Sequence, residues 1–147
     1  MKRVKQSRYY SNGNLIIAGE YFVLVGAKAL AVPLKYGQQM KVEYSKNDRG
    51  IIQWKTYELG IPWFNADFNT ENLSILSSGD NEKAAWLQKL LKIIRHKKQD
   101  LFKSDLSFHF SCDINFSIKW GWGSSSSLLV NLASWAGVDP FELNKLV

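Results

Sequence analysis

The segment GWGSSSSLLV, residues 121–130, most constrains what this chain can fold into, because two glycines and four serines lead directly into an apolar run. A flexible Gly/Ser linker normally has polar sequence on both sides. Here an alternating apolar segment, 106–113, precedes the serines and a helix-periodic one, 128–136, follows them. Glycine permits left-handed backbone angles and a sharp turn. The pattern therefore predicts a strand, a tight turn and a helix.

Residues 124–127 would form the first turn of that helix. The first N–H groups of a helix have no acceptor within the helix and lie at the positive end of its dipole, so they attract anions. Serine hydroxyls can add donors or a magnesium ligand. The segment predicts a phosphate site, and a serine-capped turn without a ligand is the alternative that spacing alone leaves open. It is not a P-loop, because the Lys that follows the second Gly of that motif is missing.

Length and composition narrow the class of protein. The 147 residues suit one domain, and apolar residues at 46% with aromatic residues at 14% exclude a disordered chain. The single cysteine, Cys112, excludes an internal disulfide, so we expect it to be buried in a reducing, cytoplasmic setting. The basic start has no apolar stretch behind it, so neither a signal peptide nor a membrane span is expected. The net charge of +6 suits nucleic acid, an anionic surface or phosphorylated small molecules.

The first half of the chain is predicted to be mostly sheet. Residues 5–44 indicate a strand, a loop and a long strand, and residues 51–59 alternate as a half-buried strand with Ile52, Trp54 and Thr56 on one side. Residues 60–81 contain a proline and many asparagines without a sustained period, which predicts an irregular hairpin or loop. Tryptophans in this half and beyond are expected to pack in the core or on hairpins. The glycines expected to mark turns are Gly13, Gly19 and Gly26.

Helical periodicity begins after Asp80, which is the expected N-cap. Four apolar residues then fall on one face of an amphipathic helix: Leu87, Leu90, Leu91 and Ile94. Asp139, Pro140 and Glu142 have the types expected at the N-cap, N1 and N3 positions of a further helix. Because this helix begins so distinctly and the sequence stops at Val147, we expect the native chain to continue. Together these elements predict an α+β fold with a mixed β-sheet backed by helices.

Two segments of the chain carry a family resemblance. Residues 11–37, SNGNLIIAGEYFVLVGAKALAVPLKYG, resemble the first motif of the GHMP small-molecule kinases, and residues 118–136 resemble their second, the nucleotide loop. The family is named after galactose, homoserine, mevalonate and phosphomevalonate kinases. The resemblance implies that residues 1–147 form the left-handed βαβ amino-terminal, ATP-binding domain, incomplete because the carboxy-terminal domain is absent. The GEY and GAKALAVP segments are most similar to the mevalonate and phosphomevalonate branch.

The resemblance also implies site residues, cofactors and partners. ATP with Mg²⁺ would be the cofactor, a small hydroxylated or phosphorylated metabolite would be the substrate, and Ser125 would ligate the magnesium. The implied substrate-side residues are Asn14, Glu20 and Tyr21. The implied nucleotide-binding residues are Gly121, Trp122, Gly123, Ser124, Ser125 and Ser126.

Two positions depart from the family pattern. Trp122 stands where relatives usually carry an aliphatic residue, and it should stiffen or narrow the loop. Asn14 stands where they usually carry Lys or Arg, so a cation at the transferred phosphoryl group would have to come from elsewhere, such as Lys28 or Lys119.

Several expectations concern what lies outside the two motifs. The family's catalytic Asp and third glycine-rich motif would follow Val147, so no catalytic residue is assigned and the chain alone is not expected to transfer phosphate. The face that the missing half would cover could cause self-association. The alternative is a nucleic-acid-binding α+β module, suggested by the basic segment 89–103 and by the family fold's likeness to some ribosomal and translation proteins. Nucleic acid is the less favoured partner.

Overall fold

The computed structural model describes residues 5–18, 30–46, 49–103 and 105–147, with side chains throughout except at 16–18 and 30–31. Strands and helices follow the predicted order: strands first, then a helix, a strand and two helices. The elements are β1 (Lys5–Ala18), β2 (Leu30–Lys46), β3 (Ile51–Glu58), β4 (Ile61–Asn69), β5 (Ile75–Ser78), α1 (Asn81–Lys97), β6 (Leu106–Ile114), a 3₁₀ turn (Ile118–Trp120), α2 (Ser124–Ala136) and α3 (Pro140–Leu146).

The six strands form one mixed sheet in the order β1-β2-β6-β3-β4-β5. Neighbouring strands run antiparallel except β3 and β6, which are parallel. Helix α2 packs against β1 and β2, and α1 packs against β5. The predicted α+β fold with a mixed sheet backed by helices is therefore confirmed.

Alternation of apolar and polar residues places one face of the central strands in the core. Ile52, Trp54 and Thr56 are buried as predicted, while Gln53 and Lys55 between them are exposed. Trp54 and Phe110 are register partners on β3 and β6, and their rings stack with centroids 4.7 Å apart. Cys112 of β6 is fully buried, and this burial raises the pKa of its thiol well above the usual range. Such a thiol packs as a small apolar side chain.

The helices begin where the sequence indicates. The Asp80 carboxylate accepts hydrogen bonds from the amides of Glu82 and Lys83, which makes it the N-cap of α1. The predicted apolar face of α1 is buried: Leu87, Leu90, Leu91 and Ile94, together with Ala84. Asp139 caps α3 by accepting from the Phe141 amide. None of the helices in the described ranges combines the length and apolar character needed to cross a membrane.

One prediction about the first half was wrong. Gly13 does not mark a turn: it lies inside β1, at a register shift between Asn12 and Asn14, where an added Cβ would come within 2.6 Å of the Trp122 carbonyl oxygen. Close approach of two backbones, rather than a turn, requires glycine there. Gly19 and Gly26 lie outside the described residues.

The irregular hairpin predicted for residues 60–81 is present: β4 and β5 pair antiparallel, with a register shift between Asp67 and Phe68. Phe64, Ala66 and Phe68 of β4 are buried, and the Asn and Asp residues that hid this alternation occupy the other face of the strand. Pro62 is tolerated because it lies near the first residue of β4, beside a register shift in the β3–β4 pair.

Candidate phosphate-binding site

The turn between β6 and α2 depends on two glycines in left-handed conformations. Gly121 ends the 3₁₀ turn with φ 67°, and Gly123 precedes α2 with φ 81°. Residues with a Cβ adopt such angles only at a cost, so glycine at both positions allows the chain to reverse direction and enter α2 at Ser124. The predicted succession of strand, tight turn and helix is therefore present.

The first turn of α2 has backbone N–H groups that find no partner among the described residues. Gly123 supplies no side-chain cap, and the Ser127 amide donates to the Gly123 carbonyl over 2.9 Å. In the described part of the chain, the amides of Ser124, Ser125 and Ser126 have no hydrogen-bond acceptor. No acidic residue lies in this turn, and Ser125 and Ser126 are exposed. The positive end of the α2 dipole is thus free to interact with an anion.

Buried amide side chains hold this turn in place. Gln38 of β2 is 1% exposed, and its Nε2 donates to the Ser124 carbonyl oxygen (2.8 Å) and to Ser127 Oγ (3.0 Å). Asn131, also 1% exposed, donates from Nδ2 to the Gln38 carbonyl (3.0 Å), and its Oδ1 accepts from Ser11 Oγ (2.6 Å). This network joins β1, β2 and α2 and fixes the first turn of the helix relative to the sheet.

Sequence reasoning did not identify Gln38 or Asn131 as site residues. The available signal was Asn131, a polar residue that interrupts the apolar run from Leu128 to Ala133 at a buried helical position. Buried amides are retained when their hydrogen bonds are satisfied, because an unsatisfied one is costly.

The loop is also tied to β1 and β3. The backbone N–H of Asn14 donates a hydrogen bond to the Trp122 carbonyl oxygen over 2.9 Å. The Asn14 side chain lies beside the loop as well, because a Cβ added to Gly123 would be 3.3 Å from Asn14 Nδ2. Glu58 Oε1 accepts from the Ile118 amide (3.2 Å) at the start of the 3₁₀ turn. The structure therefore brings Asn14 to the glycines and serines, whereas Glu20, Tyr21 and Lys28 lie outside the described residues. Lys119 is exposed on the 3₁₀ turn.

A cavity of about 430 Å³ lies beside Ser124 and Ser125. Its walls include three tryptophans from different elements, namely Trp54 of β3, Trp63 of β4 and Trp86 of α1. Trp54 is a core residue, but Trp63 is 40% exposed and forms part of the open wall. The volume falls within the range of small-molecule sites, which combine apolar walls with a few polar groups.

Lys83 supplies a positive charge at this cavity. Its Nζ lies 5.1 Å from the centroid of the Trp63 ring and pairs with Asp80. The hydrogen bond from Lys83 lowers the pKa of the Asp80 carboxyl. Among the described residues, no group of three or more His, Cys, Asp or Glu side chains is arranged to hold a metal ion. The predicted magnesium ligand, Ser125, lies exposed in the first turn of α2.

The sequence matches no protein-family model and no curated protein. Solved structures do match. The mevalonate kinase of Methanococcus jannaschii aligns with 97% of this chain at 14% identity and TM-score 0.64, and the galactokinase of Lactococcus lactis, solved with galactose, aligns with 97% at 15% identity and TM-score 0.63. The mevalonate diphosphate decarboxylase of Staphylococcus aureus aligns with 90% at 15% identity and TM-score 0.51.

This chain spans less than half of each of those proteins, namely 44%, 36% and 35% of their respective lengths. The matches include more than one activity at nearly equal sequence identity, so they do not distinguish one branch of the family from another. What they share with this chain is its architecture. The chain has the α+β fold of the GHMP-type small-molecule kinases.

Proposed function

We propose that residues 1–147 form the nucleotide-binding, amino-terminal part of an ATP-dependent kinase that transfers the γ-phosphoryl group to a small metabolite. Mevalonate and phosphomevalonate are the substrates we would test first, on the basis of the GEY and GAKALAVP segments. One observation supports the proposal above all: the amides of Ser124, Ser125 and Ser126 have no acceptor among the described residues, and Ser124 and Ser125 line a cavity large enough for a small ligand.

In this proposal the phosphates bind at the first turn of α2. The amides of residues 124–126 would donate hydrogen bonds to phosphate oxygens, and the helix dipole would favour their negative charge. The Ser125 hydroxyl would hold Mg²⁺, which would supply positive charge to offset the negative charge of the phosphates. Gly121 and Gly123 would let the backbone approach the phosphates closely, since neither glycine carries a side chain.

The base would lie in the neighbouring cavity. Trp63 and Trp86 offer aromatic surface for a planar ring. Stacking on aromatic side chains accepts any base. The cavity and the open amides share Ser124 and Ser125, so one nucleotide could reach both.

The acceptor would approach from the Asn14 side of the loop. Asn14 lies beside Gly123 and can donate a hydrogen bond, but it brings no charge to the transferred group. We therefore assign Asn14 to positioning the substrate, and we propose Glu20 and Tyr21 as further substrate-side residues on the resemblance alone.

A thermal-unfolding experiment tests the proposal. Mg-ATP at about 100 times its Kd should stabilise the chain by about 2.7 kcal/mol and raise Tm accordingly. Inorganic sulfate at the same ionic strength is the control for nonspecific anion effects. No rise in Tm with Mg-ATP, together with a steeply salt-dependent affinity for RNA, would favour the nucleic-acid alternative instead.

Substrate identity needs a second measurement. With Mg-ATP present, mevalonate and phosphomevalonate are added in turn, and the acceptor should raise Tm further. Galactose serves as the comparison sugar. If galactose, and neither mevalonate nor phosphomevalonate, raises Tm further in the presence of Mg-ATP, the choice of the mevalonate branch is contradicted while the nucleotide site is unaffected.

A further inference from the structure

Trp122 lies between the two left-handed glycines, and its ring is surrounded by other aromatic rings. The centroid distances from Trp122 are 4.6 Å to Trp120, 5.8 Å to Tyr36 and 5.8 Å to Phe116. The Tyr36 and Trp122 rings are stacked at an angle of 25°. We refer to these four side chains as the Trp122 cluster. It joins the loop to β2 through Tyr36 and to the segment between β6 and the 3₁₀ turn through Phe116.

The backbone of Trp122 is held as closely as its ring. Its carbonyl accepts from the Asn14 amide, and Gly13 leaves room for that carbonyl because it lacks a Cβ. Gly37 and Asn115 add a double link at the start of the same segment: the Gly37 amide donates to Asn115 Oδ1 (2.7 Å) and the Asn115 amide donates to the Gly37 carbonyl (3.1 Å). Both the side chain and the main chain of Trp122 are therefore fixed against the β1–β2 hairpin.

A loop with glycine on both sides of one residue has many accessible conformations. In the structure Gly123 is left-handed, with φ 81°, and in this conformation it leads directly into the first turn of α2. When the competent conformation is a fraction of the population, the apparent Kd rises by the inverse of that fraction. A residue that holds the loop in place before the ligand arrives therefore increases affinity without touching the ligand.

We propose that Trp122 is a positioning residue that holds the loop in its nucleotide-ready conformation through the Trp122 cluster and the Asn14 hydrogen bond. The identity of the ligand in this inference rests on the proposed function, but the conformational role does not. It gives Trp122 a different part from the phosphate contact that the resemblance implies.

Amide hydrogen exchange without ligand tests the conformational role directly. The Asn14 and Ser127 amides donate to Trp122 and Gly123, so they become exchangeable when the loop leaves its position. Trp122→Leu should speed exchange at both by about tenfold, whereas the buried helical residue Leu91 should keep its rate. In Trp122→Phe, the exchange rates of the Asn14, Ser127 and Leu91 amides should stay within about threefold of wild type, because phenylalanine retains a ring that can stack. Phe141→Leu, at a side chain that is 78% exposed on α3, is the matched control.

Affinity gives the second readout. Trp122→Leu should raise the Kd for Mg-ATP about tenfold, and Trp122→Phe should restore most of the affinity. If the wild-type chain binds no Mg-ATP while Trp122→Leu still speeds exchange at Asn14 and Ser127 selectively, the proposed function fails and the positioning role stands. Unchanged exchange, or equal acceleration at Leu91, would overturn the positioning role.

A variant on the other strand covers the case in which Trp122→Leu does not fold. Gly13→Ala would place a Cβ 2.6 Å from the Trp122 carbonyl oxygen and 3.3 Å from the Phe116 ring, and would push the loop away while all four aromatic residues of the cluster are retained. It should speed exchange at Ser127 selectively. Gly79→Ala is the control, since its Cβ would come within 3.0 Å only of the flexible amide end of Asn65. Wild-type exchange in Gly13→Ala would count against the inference.

Discussion

Helices α1 and α2 begin beside the same cavity, but their first turns differ. At α1, the Asp80 carboxylate accepts from two amides, and Lys83 pairs with that carboxylate. At α2, Gly123 has no side chain, and the next three amides lack partners among the described residues. Glu82 adds negative charge to the first turn of α1, whereas α2 has no acidic residue there.

The difference indicates which helix is built to receive an anion. The start of α1 is satisfied from within the protein, so an incoming phosphate would meet a carboxylate. The start of α2 has the same dipole, and no described residue neutralises it with a carboxylate or a side-chain cap. Serine hydroxyls beside those amides add donors without adding charge.

The largest effect should come from making α2 resemble α1. Gly123→Asp would put a carboxylate beside the open amides, where it would accept their hydrogen bonds and repel phosphate. We expect affinity for Mg-ATP to fall at least 100-fold, about 2.7 kcal/mol, as measured by calorimetric titration. Gly123→Asn introduces a side chain of similar size without a charge, so it should lose clearly less affinity for Mg-ATP than Gly123→Asp. Equal losses in the two variants would mean that steric fit, rather than charge, decides binding.

The next largest effect concerns the hydrogen bonds by which Gln38 holds the first turn of α2. Gln38→Leu removes the donor to Ser124 and Ser127, although Ser127 Oγ still donates to the Ser124 carbonyl oxygen (3.0 Å). The free energy of unfolding should fall by about 0.5–1.5 kcal/mol in urea denaturation. Gln39→Leu, at the adjacent and less buried position, is the control and should change stability much less. A loss below about 0.5 kcal/mol in Gln38→Leu would show that the network does not stabilise the fold.

A similar or smaller effect should distinguish the roles of Ser125 and Ser126 in the first turn of α2. Ser125→Ala should raise the Kd for Mg-ATP about tenfold, or 1.4 kcal/mol, while leaving the Kd for magnesium-free ATP unchanged. The reason is that the hydroxyl is assigned to the metal and the amide to the phosphate. Ser126→Ala, one residue further along, should affect neither constant strongly. A parallel loss with and without magnesium would contradict the metal role of Ser125.

The smallest effect is expected at the start of α1, where Asp80 caps the first turn. Because the Lys83 hydrogen bond lowers the Asp80 pKa in the folded state, the ionised carboxylate stabilises the protein above its unfolded pKa. That stabilisation is lost as the pH falls through the lowered folded pKa. Wild type should therefore exceed Asp80→Asn in Tm near neutral pH, and the gap should close in acid. Lys83→Met should shrink the gap; a gap that is independent of pH would contradict this account.

Local signals in the sequence predicted much of this molecule. The period of α1, its Asp80 cap and the alternation of β6 involve residues a few positions apart, so they can be recognised without the fold. The start of α2 was predicted for the same reason. The Asn and Asp residues of β4 hid its alternation, since polar side chains on one face of a strand resemble those of a loop.

The features that complete the site could not be predicted, because they join distant parts of the chain. Gln38 reaches Ser124 across 86 positions, and Asn131 reaches Gln38 across 93. The cavity beside the serines combines tryptophans from β3, β4 and α1, and each of them alone resembles an ordinary core or hairpin residue. Close approach of Gly13 to Trp122 likewise depends on how β1 meets the loop.

The place of β6 in the sheet has a consequence for the order of folding. β2 and β3 follow one another in the chain, yet β6 lies between them. Until residues 106–114 have been synthesised, the hairpin of β1 and β2 and the group of β3, β4 and β5 cannot join. Each has an unpaired strand edge during that interval, and such edges can pair wrongly with other chains. A newly made chain that is slow to deliver β6 should therefore depend on chaperones.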